Sequence, residues 1–285
     1  MNKRTIAGIV TFDPDTDRLR QNIAAISGQV EAVLIIDNGS ANISEFEAFD
    51  VQNLIIIKNG SNKGIACALN RMMEWAYKNN YGWVITLDQD SVCPPDYITA
   101  AKPYMKRNIG QIVPLLYESN SQKYCYMDDI PNGKRVQYVH KSITSASITS
   151  VEAWKKLGGF DNDLFIDYVD FDYSIRLRMN GYRILRLNDV ALDQQLGNSV
   201  IHKIGFLNIR VSNHSAFRKY YICRNITIFI RKYKLRSRPH LEVLRLFKVL
   251  LFTILFEDRK KAKLRSCLKG LKDGIMYDID KNKLR

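Results

Sequence analysis

Several widespread site signatures are absent from this chain of 285 residues. No two of its five cysteines form a C-x-x-C pair, and their odd number and scattered positions disfavour zinc sites and disulfide frameworks alike. Reduced thiols in a cytosolic protein are therefore the expectation. The chain also has neither a G-x-G-x-x-G loop nor a Walker loop, which disfavours an ordinary dinucleotide-binding fold and a P-loop enzyme.

Long apolar runs are absent as well. The basic start of the chain is followed by only a short apolar run, residues 6–10, so no signal peptide is predicted. The run at residues 246–256 holds about ten apolar residues around Lys248, fewer than a bilayer-spanning helix needs. The apolar share of 46% still predicts a substantial core, enough for one large α/β domain or for a domain with an appendage.

Net charge is absent from the first three quarters of the chain. Residues 1–217 hold 23 basic and 23 acidic residues, whereas residues 218–285 hold 20 basic and 6 acidic residues. The whole formal charge of +14 therefore belongs to the last 68 residues. This distribution predicts a basic module attached to a neutral domain.

The neutral part alternates strand and helix signals, which predicts a doubly wound, mostly parallel sheet. Strands are expected at residues 6–12, 32–36, 54–58 and 83–87, with helices at 19–26 and 64–78 between them. Polar side chains follow three of these strands, at residues 11–13, 37–40 and 88–90. Because parallel strands end at the same edge of a sheet, these side chains should cluster there.

The most informative of these turns is Asp88-Gln89-Asp90, which follows a buried apolar strand. If the extended conformation continues, Asp88 and Asp90 project to the same side. Two such carboxylates suit a hard divalent cation that neutralises a diphosphate. The alternative is a polar turn in which an Asp caps the next segment.

A second acidic cluster precedes and opens a predicted helix at residues 170–180, with Gly181 as its C′ residue. Asp170 and Asp172 lie in the first turn of that helix, where negative charge is favourable, so simple capping is one interpretation. Asp170 also stands among Tyr168, Val169 and Phe171. A carboxylate in such an apolar setting is typical of a general base.

Together these features resemble glycosyltransferase family 2, whose members bind nucleotide sugars in a GT-A fold. The resemblance covers roughly residues 5–235. It rests on segments at residues 10–14, 36–40, 62–66, 87–91, 158–172 and 214–225, in the family's order. The last segment, which starts at His214, is most similar to the bacterial rhamnosyltransferase branch. The resemblance implies a Rossmann-like α/β catalytic domain at 1–217, with a nucleotide-sugar half at 1–100 and an acceptor half at 101–217.

The resemblance also implies roles for individual residues. The donor nucleotide sugar would be bound by Thr11, Phe12, Asp13, Asp37, Asn38, Asn62, Gly64, Asp88 and Gln89. Asp88 and Asp90 would hold Mg²⁺ or Mn²⁺ against the diphosphate of a dTDP- or UDP-sugar. Asp170 would be catalytic and deprotonate the acceptor hydroxyl, which attacks the anomeric carbon in line and inverts it.

One position departs from the family pattern. Related enzymes carry a histidine in a His-x-x-Gly setting as a third metal ligand, and Gln194 stands at that position here. An amide oxygen is a weaker ligand. His202 and His214 are the candidates to replace the missing histidine, and His214 is the predicted third metal ligand.

The basic region, residues 218–285, shows apolar residues at helical spacing among its lysines and arginines. Three interpretations compete. Its helices pack on the catalytic domain or on a second subunit of a homodimer, or they lie on an anionic membrane surface, or they bind nucleic acid. With no recognised nucleic-acid motif in the sequence, no nucleic-acid partner is expected.

The expected function is an inverting glycosyltransferase of bacterial surface polysaccharide synthesis. It would move a sugar, L-rhamnose from dTDP-L-rhamnose by preference, onto a saccharide acceptor linked to polyprenyl diphosphate. The expected location is cytoplasmic, peripheral on the inner face of the cytoplasmic membrane. One alternative is a UDP-hexose or UDP-galactofuranose transferase on the same scaffold. The other is a non-enzymatic protein that binds anionic polymer or membrane.

Overall fold

A computed structural model describes residues 2–118, 123–125, 130–193, 200–204 and 207–279. Contacts divide the chain into two units. The first unit comprises Met1–Phe165 and Val169–Gln195, and the second comprises Ile166–Tyr168 and Leu196–Arg285. The boundary predicted at residue 217 lies inside the second unit. This unit therefore contains residues before the basic region as well as the basic region itself.

The first unit alternates strands and helices along its first half. Its strands are β1 Thr5–Thr11, β2 Val33–Asp37, β3 Leu54–Lys58, β4 Trp83–Asp88, β5 Ile109–Glu118, β6 Lys123–Cys125, β7 Val136–Val139, β8 Ser147–Ser150 and β9 Arg183–Asp193. Its α-helices are α1 Thr16–Ser27, α2 Ile43–Glu47, α3 Ile65–Lys78, α4 Tyr97–Ala101, α5 Val151–Lys156 and α6 Val169–Met179. The alternation predicted for residues 6–88 is confirmed, because the pairing of apolar strands with amphipathic helices is readable from local periodicity.

The nine strands form one sheet in the order β3-β2-β1-β4-β8-β5-β9-β7, with β6 beside β5. Strands β3, β2, β1 and β4 are mutually parallel, and β8 enters antiparallel between β4 and β5. The predicted mostly parallel α/β sheet is therefore confirmed. In β1, Thr11 pairs with Asp37 and Val10 pairs with Asp88, so three strands end side by side. This register places the three polar turns at one edge.

The core lies against the central strands, as the apolar pattern predicts. Helix α1 buries Leu19, Ile23 and Ile26, which recur at helical spacing, and its N-cap Asp15 accepts a hydrogen bond from the Arg18 amide. Trp83 is fully buried in β4. At the end of α6, Gly181 has a φ of +80°, which confirms its expected place after the helix.

The described part of the second unit contains an antiparallel strand pair, three α-helices and a short 3-10 helix at Lys234–Ser237. The strands are β10 Val200–Ile204 and β11 Leu207–Val211, and the helices are α7 Ala216–Tyr233, α8 Pro239–Leu255 and α9 Lys260–Met276. Close packing of α9 on α7 depends on Gly270, since a Cβ there would lie 2.3 Å from the Tyr220 carbonyl oxygen. None of the helices in the part of the chain that the structure describes is both long and apolar enough to cross a membrane.

Candidate active site

Hydrogen bonds join the three polar turns at the sheet edge. The Thr11 hydroxyl donates to Asp37 Oδ1 at 3.1 Å, and the Phe12 amide donates to Gln89 Oε1 at 2.9 Å. Each bond links β1 to a turn that follows another strand. The sheet therefore brings together the donor-side residues that the sequence singles out at residues 11–13, 37–38 and 88–90.

Asp37 organises its own turn. The side chain is 2% exposed, and its carboxylate accepts hydrogen bonds from the Gly39 and Ser40 amides and from the hydroxyls of Ser40 and Thr11. These donors stabilise a carboxylate that is almost entirely removed from water. The prediction that Asp37 contacts a nucleobase remains a prediction, and its clear structural effect is to shape the turn.

Asp13 and Asn38 also hold loops in place. Asp13 Oδ1 accepts from the Ala41 amide at 2.7 Å, while the Asp13 amide donates to the Ser40 hydroxyl at 2.9 Å. Asn38 donates to the Gly64 carbonyl at 3.3 Å and accepts from Asn59 at 2.7 Å. Between these anchored groups Phe12 is 46% exposed, which leaves an aromatic residue at the surface of this edge.

The loop before α3 requires glycine at position 64. Gly64 has a φ of +84°, and a Cβ there would lie 2.6 Å from the Phe165 ring. The Asn62 side chain accepts from the Gly64 amide at 3.0 Å, and the Phe165 carbonyl accepts from the Ile65 amide at 2.7 Å. The predicted donor loop is thus tied to the segment that precedes α6.

The Asp88–Asp90 turn differs from the extended geometry that alternation implies. Strand β4 ends at Asp88, and the Ser91 amide donates to the Asp88 carbonyl at 3.1 Å, which closes a turn. Asp88 is half-buried, whereas Asp90 is exposed. The condition for both carboxylates to project from one strand face, a continued extended conformation, is therefore not met, because β4 ends at Asp88.

Helix α1 holds this turn from one side. The Asn22 side chain donates to the Asp88 carbonyl at 2.8 Å, and the Arg18 guanidinium donates to the Asp90 carbonyl at 2.8 Å. Arg18 and Asn22 are four residues apart, so they lie on the same face of the helix. Sequence reasoning missed both residues. Their spacing was visible, but their target lies about seventy residues away.

Replacing Asn22 by Ala tests this support. We expect the free energy of unfolding to fall by about 1 kcal/mol, because one buried hydrogen bond is lost while the Asp88 carbonyl keeps its bond from Ser91. We also expect kcat to fall about tenfold as the Asp88 turn loosens, the equivalent of about 1.4 kcal/mol. Urea unfolding and steady-state kinetics measure the two effects.

Asn53→Ala is the matched control for Asn22→Ala. Asn53 also donates its side-chain amide to a backbone carbonyl, that of Ser27 at 3.1 Å, but at the opposite end of α1. It should lower stability to a similar extent and leave kcat unchanged. Equal kinetic losses in the two variants would contradict a specific role for Asn22.

The two carboxylates of α6 have different environments. Asp172 is 1% exposed and pairs with Arg176 at 2.7 Å, and that guanidinium also donates to the Gly159 carbonyl at 2.7 Å. Asp170 is half-buried, and its Oδ1 accepts from the Phe171 amide at 2.8 Å. Asp172 therefore anchors the helix to the preceding loop, whereas Asp170 keeps access to solvent.

Serine hydroxyls connect the two acidic clusters. Ser91, next to Asp90, lies 2.8 Å from the Ser145 hydroxyl, and Ser142 lies 3.2 Å from Ser174, one turn beyond Asp170. All of these serines are buried. Residues 142–145 therefore link the Asp88 turn to α6.

Two carboxylates suit a divalent cation here. In proteins Mg²⁺ is usually bound by one or two carboxylates together with phosphate oxygens of the substrate, and Asp88 and Asp90 supply that number. Within the described ranges, no group of three or more His, Cys, Asp or Glu side chains converges on a common point.

Gln194 and His214 are two of the candidates for a third metal ligand. Gln194 lies outside the described residues. His214 belongs to the second unit, where burial and the nearby Arg218 lower its pKa.

The family model for glycosyl transferase family 2 matches residues 8–153 of this chain, which is just over half of it. The chain belongs to this family. The matched residues contain the sheet edge and the Asp88–Asp90 turn. They end before α6, so the family match does not include Asp170.

Comparisons over the full length agree with the family. The chain is 25% identical over 292 residues to the dTDP-rhamnosyl transferase RfbF of Shigella flexneri, covering 98% of this chain and 96% of the relative. Its fold is similar to that of TarS from S. aureus, residues 1–349, with a TM-score of 0.61, 11% identity, and coverage of 95% of this chain and 81% of that one. The second comparison concerns the fold alone. As a member of family 2, the chain is a glycosyltransferase.

Proposed function

We propose that this glycosyltransferase transfers L-rhamnose from dTDP-L-rhamnose, with inversion, onto a saccharide acceptor in bacterial surface polysaccharide synthesis. The observation that carries the proposal is the pair of acidic clusters, around Asp88 and around Asp170, joined by buried serine contacts within one unit. Likeness to the dTDP-rhamnosyl transferase along nearly the whole chain supports rhamnose as the donor sugar.

The proposed reaction uses Asp170 as the base. Its carboxylate takes the proton of the acceptor hydroxyl while the oxygen attacks the anomeric carbon. The bond from that carbon to the diphosphate breaks on the opposite face, and the nucleoside diphosphate leaves with the electron pair. Asp88 and Asp90 would hold Mg²⁺ or Mn²⁺, which neutralises negative charge that develops on the diphosphate.

A nucleotide panel tests the donor. We expect dTDP with Mg²⁺ or Mn²⁺ to raise the melting temperature, since ligand at about 100 times its Kd adds about 2.7 kcal/mol of stability. UDP should produce a smaller shift, and ADP, the control, none. A larger shift with UDP would contradict the dTDP donor and favour a UDP-hexose or UDP-galactofuranose transferase. No shift with any nucleotide would favour a non-enzymatic binding protein.

The proposed acceptor is linked to polyprenyl diphosphate, and the proposed location is the inner face of the cytoplasmic membrane. The charge of +14 concentrated in residues 218–285 supports attraction to anionic lipid. Rhamnosyl transfer to a synthetic prenyl-diphosphate saccharide, and no transfer to the same saccharide without the lipid, is the expected result.

A further inference from the structure

The fully buried side chains of helix α8 are polar, whereas many of its exposed side chains are large and apolar. Its two buried side chains are the polar residues Glu242 and Thr253, which are 1% and 0% exposed. Its exposed large apolar residues are Leu241, Val243, Leu244, Phe247, Ile254 and Leu255. Contiguous exposed apolar surface of this kind marks an interaction site on a folded protein.

The buried carboxylate of Glu242 has a partner outside α8 in the second unit, and this contact specifies the orientation of the helix. The Glu242 carboxylate accepts a hydrogen bond from the Tyr168 hydroxyl and pairs with Arg245 at 3.0 Å. The Thr253 hydroxyl donates to the Val249 carbonyl of the same helix at 2.8 Å, which satisfies the buried hydroxyl. Rotating the helix to bury its exposed leucines would separate Glu242 from Tyr168. The contact between Glu242 and Tyr168 therefore holds the apolar face outward.

Exposed basic residues lie at both ends of α8, on either side of this apolar face. Exposed basic residues precede the helix at Lys234, Arg236 and Arg238 and follow it at Arg259, Lys260 and Lys261. Beside the second group, the carboxylate of Asp258 pairs with Lys263 at 2.6 Å. At about 1.5 Å per residue the helix is roughly 25 Å long, so it could lie in a surface with cations at each end.

Charge decides between the occupants of such a face. A second copy would bring another strongly basic region against this one, and like charges oppose that association. The phosphates of a nucleic acid would pair with the basic side chains, but they would leave the exposed apolar side chains of α8 without an apolar partner. An anionic bilayer offers phosphate groups for the flanking cations and acyl chains for the exposed face of α8.

We propose that α8 is an in-plane membrane helix, whose exposed apolar face enters an anionic lipid surface while the flanking basic residues contact the headgroups. This inference deepens the membrane location proposed above and assigns it to one helix. It rests on that part of the proposed function only. Lipid binding is measured without any sugar donor, so its failure and the failure of the proposed chemistry are distinguishable.

Vesicle co-sedimentation of the full chain tests the inference. We expect binding to vesicles of phosphatidylglycerol and phosphatidylcholine, and little binding to phosphatidylcholine alone. Leu244→Ser with Phe247→Ser should weaken the binding about 10²-fold, because two large apolar side chains lose their burial in lipid. Replacing Arg259, Lys260 and Lys261 by Gln should weaken it by a similar factor, about 10²-fold.

The matched control replaces two exposed apolar residues of the first unit, Ile130→Ser with Met179→Ser. These side chains are 73% and 49% exposed, and their loss should leave lipid binding unchanged. Circular dichroism checks that every variant is folded, which is expected because the changed positions are exposed.

Three results would overturn the inference. Binding of the Leu244 and Phe247 variant to anionic vesicles as tightly as the parent chain would make the contact purely electrostatic. Equal binding to vesicles of phosphatidylcholine alone would remove the role of lipid charge. Absence of vesicle binding, with a dimer in sedimentation equilibrium that the same variant dissociates, would assign the face to a second copy.

Discussion

Asp170→Asn should lower kcat by about 10²–10⁴-fold, the range expected when a general base is removed. The amide cannot take a proton from the acceptor hydroxyl, although its oxygen can still accept the hydrogen bond from the Phe171 amide. Because Asp170 is half-buried and the hydrogen bond is kept, the free energy of unfolding should change little. Steady-state transfer assays and urea unfolding on the same preparation measure both quantities.

Asp172→Asn, two residues along the same helix, is the control for Asp170→Asn. It removes the buried carboxylate that pairs with Arg176 and should cost about 3 kcal/mol of stability. The two variants should therefore differ in the property they lose. Asp170→Asn should lose activity, and Asp172→Asn should lose stability. Full activity of Asp170→Asn would end the assignment of Asp170 as the base.

Asp88→Asn and Asp90→Asn should each lower kcat/KM by about 10²–10³-fold, since each weakens the charge stabilisation of the leaving diphosphate. The turn itself should persist, because Asn22 and Arg18 hold it through the backbone carbonyls of Asp88 and Asp90. Higher Mg²⁺ or Mn²⁺ concentrations should partly restore the rate. Metal titrations of the initial rate, together with calorimetry of nucleotide binding, provide the measurement.

Asp96→Asn is the control for these carboxylate variants. Asp96 is exposed, follows the Asp88–Asp90 turn along the chain, and has a φ of +56°, which Asn also adopts readily. It should leave both the rate and its metal dependence unchanged. The donor-side assignment would fail if Asp88→Asn and Asp90→Asn were as active as Asp96→Asn.

Local patterns were sufficient for much of the first unit. The strand predicted at 54–58 is β3, and the helix predicted at 64–78 begins one residue later as α3. Both were readable because apolar periodicity within ten or fifteen residues reports how an element meets the core. Local patterns left the conformation after Asp88 open between a continued strand and a polar turn, since the end of β4 is set by pairing with its neighbouring strands.

Contacts between distant residues explain what sequence reasoning missed. Asn70, on α3, bonds to the Trp154 indole, to both backbone polar groups of Phe160 and to the Asn162 side chain. These partners are more than eighty residues away in the chain. An asparagine in the middle of a helix carries no local sign of such a role, just as Asn22 carried none.

The sequence by itself determined the alternating α/β order, the concentration of positive charge after residue 217, and the acidic residues proposed for the site. These properties are local in the chain, so composition and periodicity report them. Only the tertiary structure decided that Asp37 and Asp172 are structural anchors, and that buried serines join the Asp88 turn to α6. It also decided that α8 presents Leu241, Leu244 and Leu255 to the outside, because burial depends on which surfaces meet after the chain has folded.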